Sequence, residues 1–88
     1  MLQLVHQARF AKDLKVLLKG GKDPEKIKAV ISLLAQGKAL PTKNRNHKLG
    51  GEFAGCWECH IEPDWLLIYR KTPDMLILIR TGSHSNLF

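Results

Sequence analysis

The sequence predicts a single α+β domain, in which a short strand and two helices precede an antiparallel sheet. Three observations support this prediction. The first half of the chain has helical periodicity, and the second half holds three apolar segments of strand length. The chain has 88 residues, which is enough to bury one hydrophobic core but not two. We therefore assign residues 1–88 to one domain, with both helices packed on one face of the sheet.

The N-terminal residues alternate briefly before the period becomes helical. Leu2 to Val5 suits a short strand, because apolar and polar residues alternate at its start. A helix is predicted over Ala8 to Lys19 and ends at the paired glycines Gly20 and Gly21. Its apolar positions recur at helical spacing, namely Phe10, Leu14, Leu17 and Leu18.

A second helix begins directly after this glycine pair. Asp23 is a typical cap and Pro24 suits the first helical position. This second helix ends at Gly37. The residues predicted to form its buried stripe are Ile27, Val30, Ile31 and Leu34. Because the turn between the two helices is short, they are expected to form a helical hairpin.

The second half of the chain reads as a long loop followed by a meander. Lys38 to Gly55 lacks periodicity and is rich in polar residues and glycine, which predicts a loop. Three strands then follow at Cys56 to Ile61, Trp65 to Tyr69 and Met75 to Thr81. Their continuous apolar runs indicate little solvent on either face of the sheet.

The turn between the first two of these strands carries two titratable side chains, His60 and Asp64. Pro63 lies between them and disfavours a helix, so both residues are placed at one edge of the sheet. Antiparallel pairing also brings the end of the third strand beside the start of the second. His84, just beyond that end, is therefore expected next to His60 and Asp64.

The cysteines allow two readings that we reject. Cys56 and Cys59 precede His60 in the C-x-x-C-H pattern of haem attachment, and C-x-x-C also occurs in zinc sites. In a strand the two thiols point to opposite faces, roughly 10 Å apart at their Cα atoms, which excludes a disulfide. A second C-x-x-C is absent from the sequence, so we predict two reduced cysteines and no metal or cofactor.

The net charge of +6 favours a polyanionic partner such as RNA. Basic residues near the histidines repel a dication but attract phosphate; they are Lys43, Arg45, Lys48, Arg70 and Arg80. Imidazoles in such surroundings suit metal-free RNA cleavage, with one group as base and another as acid. The sequence shows neither a membrane-spanning stretch nor a signal peptide, so a cytoplasmic location is expected.

Three segments resemble the YafQ branch of the RelE superfamily, toxins of bacterial type II toxin–antitoxin modules. The segments are Asn46-His47-Lys48-Leu49-Gly50-Gly51, Glu58-Cys59-His60-Ile61-Glu62-Pro63-Asp64-Trp65-Leu66-Leu67-Ile68-Tyr69 and Arg80-Thr81-Gly82-Ser83-His84-Ser85-Asn86-Leu87-Phe88. The resemblance implies a RelE-like microbial RNase fold and a ribosome-dependent endoribonuclease that cuts messenger RNA. It also implies a monomer when free and a hetero-oligomer with a cognate antitoxin.

The same resemblance implies roles for single residues. His47, His60, Asp64 and His84 match the catalytic residues of that branch. His84 is expected as general acid and either His47 or Asp64 as base, while His60 orients the phosphate or a neighbour. Arg80 matches an arginine expected to stabilise the phosphate, and Phe88 matches an aromatic that can stack on a base.

Two alternatives from other classes stay open at this point. One is a catalytically weak module that binds RNA or an antitoxin on the same fold. The other is a small metal-binding protein built on the cysteines and histidines. Cleavage of messenger RNA on ribosomes distinguishes the enzyme from the first alternative, and a stoichiometric zinc adduct would favour the second.

Overall fold

The structure is a computed structural model that describes residues 1–88. Its helices and strands, in chain order, are β1 (Gln3–His6), α1 (Ala8–Lys19), α2 (Pro24–Ala35), β2 (His47–Lys48), β3 (Trp57–Glu62), β4 (Trp65–Lys71), β5 (Met75–Gly82) and α3 (His84–Leu87). Short 3-10 turns lie at Thr42–Asn44 and Gly51–Phe53. The predicted α+β class and order of elements are confirmed, and none of the helices has the length and apolar content needed to cross a bilayer.

The five strands form one sheet in the order β1-β5-β4-β3-β2. β3, β4 and β5 are the predicted antiparallel meander. β1 pairs parallel with β5, so the sheet as a whole is mixed. The loop predicted over residues 38–55 is wrong at His47–Lys48, which pair with β3 as a two-residue strand too short to show any periodicity.

The face of the sheet under α1 and α2 carries the larger core. Asp23 caps α2 by accepting a hydrogen bond from the backbone N–H of Glu25 at 2.9 Å, as its position before Pro24 predicts. The buried residues of this core come from both helices and from the strands beneath them: Phe10, Ile27, Val30, Leu34, Ala35, Cys59, Trp65, Leu67, Tyr69, Leu76 and Leu78.

The opposite face carries a second, smaller core of Cys56, Leu66, Ile68 and Leu87. Side chains from the segment before β3 and from α3 cover this face, which explains why the strands are apolar on both sides. Cys56 and Cys59 belong to different cores and both are free thiols. The prediction that they point to opposite faces is therefore confirmed.

Candidate active site

The candidate site lies at the edge of the sheet where β3 ends, β4 begins and β5 ends. The pairing is shifted between His60 and Glu62, and a two-residue turn then leads into β4. Leu66 is paired with Gly82, so the residues after β5 emerge beside that turn. As the strand pairing predicts, the structure brings His60, Asp64 and His84 together.

Asp64 and His84 are joined through both the backbone and the side chain. The backbone N–H of His84 donates to Asp64 Oδ1 at 3.0 Å, and His84 Nδ1 lies 3.4 Å from the same oxygen. The backbone hydrogen bond is the main reason that the pKa of Asp64 is lowered, and it outweighs the opposing effect of desolvation. Asp64 is therefore an anion that orients the imidazole of His84.

His60 is the least exposed of the three clustered histidines, with 12% of its side chain accessible. Its Nδ1 lies 3.1 Å from the carbonyl oxygen of Pro63, in the turn that follows it. The centroid of its ring is 5.7 Å from that of His84. Its Nε2 lies 3.6 Å from Glu58 Oε1.

Glu58 is a buried carboxylate that sequence reasoning missed. It is 3% exposed and shares a face of β3 with His60, because strand residues two apart point the same way. In the ladder it is paired with His47 of β2, whose Nε2 lies 3.4 Å from Glu58 Oε1. The available signal was a glutamate between two apolar residues of a predicted strand, Trp57 and Cys59, two residues before a histidine.

His47 completes the cluster from the far strand. Its Nδ1 donates to the carbonyl oxygen of Arg45 at 2.8 Å, since a carbonyl can only accept. The Nδ1 atoms of His60 and His84 likewise face a carbonyl and a carboxylate oxygen. In all three imidazoles the Nδ1 proton is thus held, so Nε2 is the nitrogen that can take up or release a proton, and in His47 and His60 this atom faces Glu58 Oε1.

Several predicted cations lie near the cluster. Lys43 and Arg45 line a cleft of about 460 Å³ together with His60 and Pro63. The ammonium of Lys48 lies 5.5 Å from the centre of the Trp57 ring, on the face of the sheet opposite to His47, because neighbouring strand residues point to opposite faces. Lys43 and Arg45 therefore give the cleft its positive rim.

Phe88 extends the site at its other end. Its ring lies 6.2 Å from that of His84 and 5.7 Å from that of Phe53, in an edge-to-face arrangement with the latter. The residue is 61% exposed, so one side of the ring is open to solvent. An exposed aromatic beside a histidine cluster suits base stacking.

Two of the predicted cations have other surroundings. The guanidinium of Arg80 forms two hydrogen bonds to the carboxylate of Asp13 in α1, at 2.6 and 3.1 Å, and this bonding raises its pKa. Arg70 is exposed near the opposite end of β4, roughly 20 Å along the strand from Asp64. The structure thus brings neither residue into contact with the histidines.

Three side chains of the cluster also satisfy the spacing of a metal site. Single ligand atoms of Glu58, His60 and His84 all lie within 4.8 Å of one another. Two imidazoles and a carboxylate are donors that transition metals such as Cu²⁺ or Zn²⁺ accept. The cysteines take no part, because they are buried in the two cores.

Fold and site together define a small α+β protein with a cluster of imidazoles at a basic sheet edge. A sequence profile of the family described as "Bacterial toxin of type II toxin-antitoxin system, YafQ" matches residues 2–88. The chain is also 38% identical over 84 residues to the mRNA interferase toxin YafQ of Escherichia coli K12, covering 94% of this chain and 91% of that protein. The chain therefore belongs to the YafQ family of bacterial type II toxins, and the resemblance seen in its sequence is confirmed.

Solved structures agree with this assignment. The Escherichia coli DinJ-YafQ complex contains a chain that is 36% identical, with a TM-score of 0.93 and coverage of 100% of this chain and 99% of that one. A copper-bound mutant toxin from Helicobacter pylori is 41% identical, with a TM-score of 0.95 and complete coverage of both chains. The order of elements is therefore shared from end to end.

Proposed function

We propose that this protein is an mRNA interferase, an endoribonuclease that cuts messenger RNA on cytoplasmic ribosomes and is neutralised by a cognate antitoxin. The observation that carries the proposal is the cluster of three imidazoles with oriented Nδ1 atoms beside a basic cleft. The relatives from Escherichia coli are mRNA interferase toxins, and one of them is bound to DinJ. A cognate antitoxin is the corresponding partner here, and the free toxin is a monomer.

The reaction needs two proton transfers and no metal ion. A base removes the proton of a ribose 2′-hydroxyl, and the resulting O2′ forms a bond to the adjacent phosphorus. The bond from phosphorus to O5′ breaks, and an acid protonates the departing oxygen. The products are a 2′,3′-cyclic phosphate and a 5′-hydroxyl, and both catalysts end in the opposite protonation state.

We assign the acid to His84 and the base to His47. Asp64 accepts from the backbone N–H of His84 and lies 3.4 Å from Nδ1 of its ring, so Nε2 of His84 is the nitrogen that can give a proton to the departing oxygen. Asp64 is a poor base, because its lowered pKa means a weak affinity for a proton and its Oδ1 already accepts from the backbone N–H of His84. His47 instead has Nε2 as the nitrogen that can take up a proton, since its Nδ1 donates to Arg45, and the carboxylate of Glu58, 3.4 Å from Nε2, can balance the charge of the ring that results.

The remaining residues stabilise the negative phosphorane. His60 neighbours both of the other imidazoles. The centroid of its ring lies 5.7 Å from that of His84, and its Nε2 faces the same Glu58 oxygen as Nε2 of His47. Contacts between basic side chains and phosphates guide the RNA backbone towards the histidine cluster, and the residues that supply them are Lys43, Arg45 and Lys48. Phe88 stacks on a base next to the scissile bond.

The two outlying arginines take part less directly in this proposal. Arg80 stabilises the phosphate only when its guanidinium turns from Asp13 towards RNA. Arg70 adds to the positive field that attracts RNA from a distance.

The test is cleavage of messenger RNA on translating ribosomes by purified protein, mapped by primer extension. The wild type should produce discrete stops, and the cognate antitoxin should abolish them. An unchanged extension pattern, with the protein shown to bind ribosomes, would favour the alternative of a catalytically weak binding module. Naked messenger RNA, run in parallel, tests the requirement for the ribosome.

Metal binding at the same cluster is a second candidate function. The 4.8 Å spacing of Glu58, His60 and His84 favours it, and one similar Helicobacter pylori toxin is metal-bound. A bound Cu²⁺ would occupy imidazole nitrogens that the cleavage reaction needs, so it should inhibit. Titration with Cu²⁺ followed by native mass spectrometry should give one chelator-sensitive adduct in the wild type and none in Glu58→Gln; an equal adduct in both would exclude this site.

A further inference from the structure

The hydroxyl of Tyr69 connects the larger core to the residue before His47. Tyr69 is 1% exposed in the middle of β4, yet its Oη donates to Asn46 Oδ1 at 2.5 Å. Asn46 is the last residue before β2, so this bond joins a central strand to the start of an edge strand. A strand of two residues has few backbone bonds of its own to hold it in place.

The chemistry of the phenol makes this bond persistent. Burial raises the pKa of Tyr69 to about 12, and the nearby thiol of Cys59 adds to the effect. The hydroxyl therefore keeps its proton throughout the neutral range and remains a donor. The carboxamide oxygen of Asn46 is its acceptor at every such pH.

A second side chain anchors the same segment to β3. Asn44 is 5% exposed, and its Nδ2 donates to the carbonyl oxygen of His60 at 2.6 Å. That carbonyl lies at the register shift between His60 and Glu62. The segment that leads to His47 is thus tied directly to the backbone of another residue of the cluster.

Arg45 lies between the two anchors in an unusual conformation. Its φ of 46° and ψ of 51° are left-handed, and it is the one residue other than glycine with a positive φ. This conformation is unfavourable for a residue with a side chain, so the surrounding contacts must maintain it. The carbonyl of Arg45 is the group that accepts the Nδ1 proton of His47.

We propose that Tyr69, Asn46 and Asn44 are positioning residues, which hold the Arg45 carbonyl against Nδ1 of His47 and so present Nε2 for proton transfer. The catalytic part of this inference rests on the proposed role of His47 as base. The orientation of the ring is a structural statement that can be tested without activity.

The central test compares Tyr69→Phe, Asn46→Ala and Asn46→Asp. Tyr69→Phe removes one oxygen and keeps the ring in the core, while Asn46→Asp keeps an oxygen acceptor for the phenol. We expect Tyr69→Phe and Asn46→Ala each to lower kcat on ribosomes about 10-fold with KM unchanged, as the loss of one hydrogen bond allows. The double variant that combines Tyr69→Phe with Asn46→Ala should cleave no more slowly than either single variant, because both remove the same hydrogen bond. Asn46→Asp should retain most of the wild-type rate.

Thr72→Val is a matched control for loss of a hydroxyl. The Oγ1 of Thr72 accepts from the backbone N–H of Met75 in the β4–β5 turn, at the end of the sheet away from the histidines. We expect Thr72→Val to lower the melting temperature without changing kcat. If it slows cleavage as much as Tyr69→Phe, the effect of the latter is one of general stability and the inference fails.

The readout independent of activity is the ¹⁵N NMR spectrum of the His47 ring. In the wild type at neutral pH we expect the Nδ1–H tautomer, and in Tyr69→Phe and Asn46→Ala a mixture of both tautomers. An unchanged tautomer in these variants overturns the positioning inference. If the tautomer shifts but His47→Ala cleaves at the wild-type rate, the positioning stands and the proposed role of His47 as base fails.

Discussion

His84 and His47 contribute rings to the same cluster, but different interactions place them. His84 follows β5 directly, and its backbone N–H is bound by Asp64 at the start of β4. Backbone pairing of two long strands therefore determines its position. His47 lies in a two-residue edge strand, and side chains from Tyr69 and Asn44 hold the segment before it.

Because of this difference, substitutions near the two histidines test different things, namely the functional group itself on one side and the contacts that position it on the other. On the side of His84, a substituted side chain leaves the strand pairing intact, so its effect reports on the lost functional group. On the side of His47, the cleavage rate should also fall when a residue that only positions the ring, and does not contact RNA, is substituted. We therefore expect the His84 side to give large and specific effects, and the His47 side to give graded effects spread over several residues.

The largest effect is expected from His84→Ala. Loss of the proposed general acid should lower the single-turnover cleavage rate on ribosomes by about 10³-fold. Ribosome binding and the melting temperature should change little, because 57% of the side chain is exposed. His6→Ala, which removes an exposed histidine from β1, is the control and should cleave normally.

His47→Ala should give the next largest effect, a loss of about 10²-fold, because removal of the proposed base leaves water to accept the proton. The same single-turnover assay measures it. A loss of less than about 3-fold would show that another group is the base, in contrast to the proposed assignment. Asp64 would then be the first alternative to test.

Asp64→Asn should have a smaller effect of about 10-fold, since the amide oxygen can still accept from the backbone N–H of His84 while the charge is lost. The melting temperature should change little, because 70% of the Asp64 side chain is exposed. The single-turnover assay measures the rate, and an unchanged rate would mean that the charge of Asp64 does not contribute to cleavage.

The smallest effect is expected from the ion pairs of Glu62, which should affect stability in acid and not cleavage. Glu62, at the end of β3, has its pKa lowered to about 2, chiefly by hydrogen bonds from Lys22 and Lys26 at 2.7 Å. A carboxylate with a lowered folded-state pKa contributes stability above its unfolded pKa of about 4.3, and this contribution is lost as the pH falls towards about 2.

Glu62→Gln should therefore flatten the fall in melting temperature between about pH 4 and pH 2 and leave cleavage at neutral pH unchanged. Thermal unfolding monitored by circular dichroism measures the first effect. An identical acid dependence in the wild type and the variant would mean that this ion pair does not contribute to stability. Loss of cleavage would mean that Glu62, which also lines the cleft with Lys43 and Arg45, takes part in RNA binding or cleavage.

The part of the site that sequence predicts is the part that strand pairing determines. A hairpin turn at Pro63 and an antiparallel neighbour were enough to bring His60, Asp64 and His84 together. These rules depend on residues close in the chain or on consecutive strands. For the same reason the meander of β3, β4 and β5 was predicted near its observed bounds.

The remaining features depend on contacts that a sequence pattern does not encode. The parallel pairing of β1 with β5 joins opposite ends of the chain, and β2 is too short to have a period. The pair formed by Arg80 and Asp13 spans 67 positions, and nothing local distinguishes Arg80 from a free surface arginine. The burial of Glu58 beside two histidines likewise requires the folded sheet.

The most direct test of whether His47 and His84 are the base and the acid is the pH dependence of single-turnover cleavage, in the wild type and in the two histidine variants. We expect a bell-shaped profile for the wild type, because the base must be neutral and the acid protonated. His47→Ala should lose the acidic limb and His84→Ala the alkaline limb. A wild-type profile that is flat from about pH 5 to pH 9, or variants that keep both limbs, would contradict acid–base catalysis by these two imidazoles.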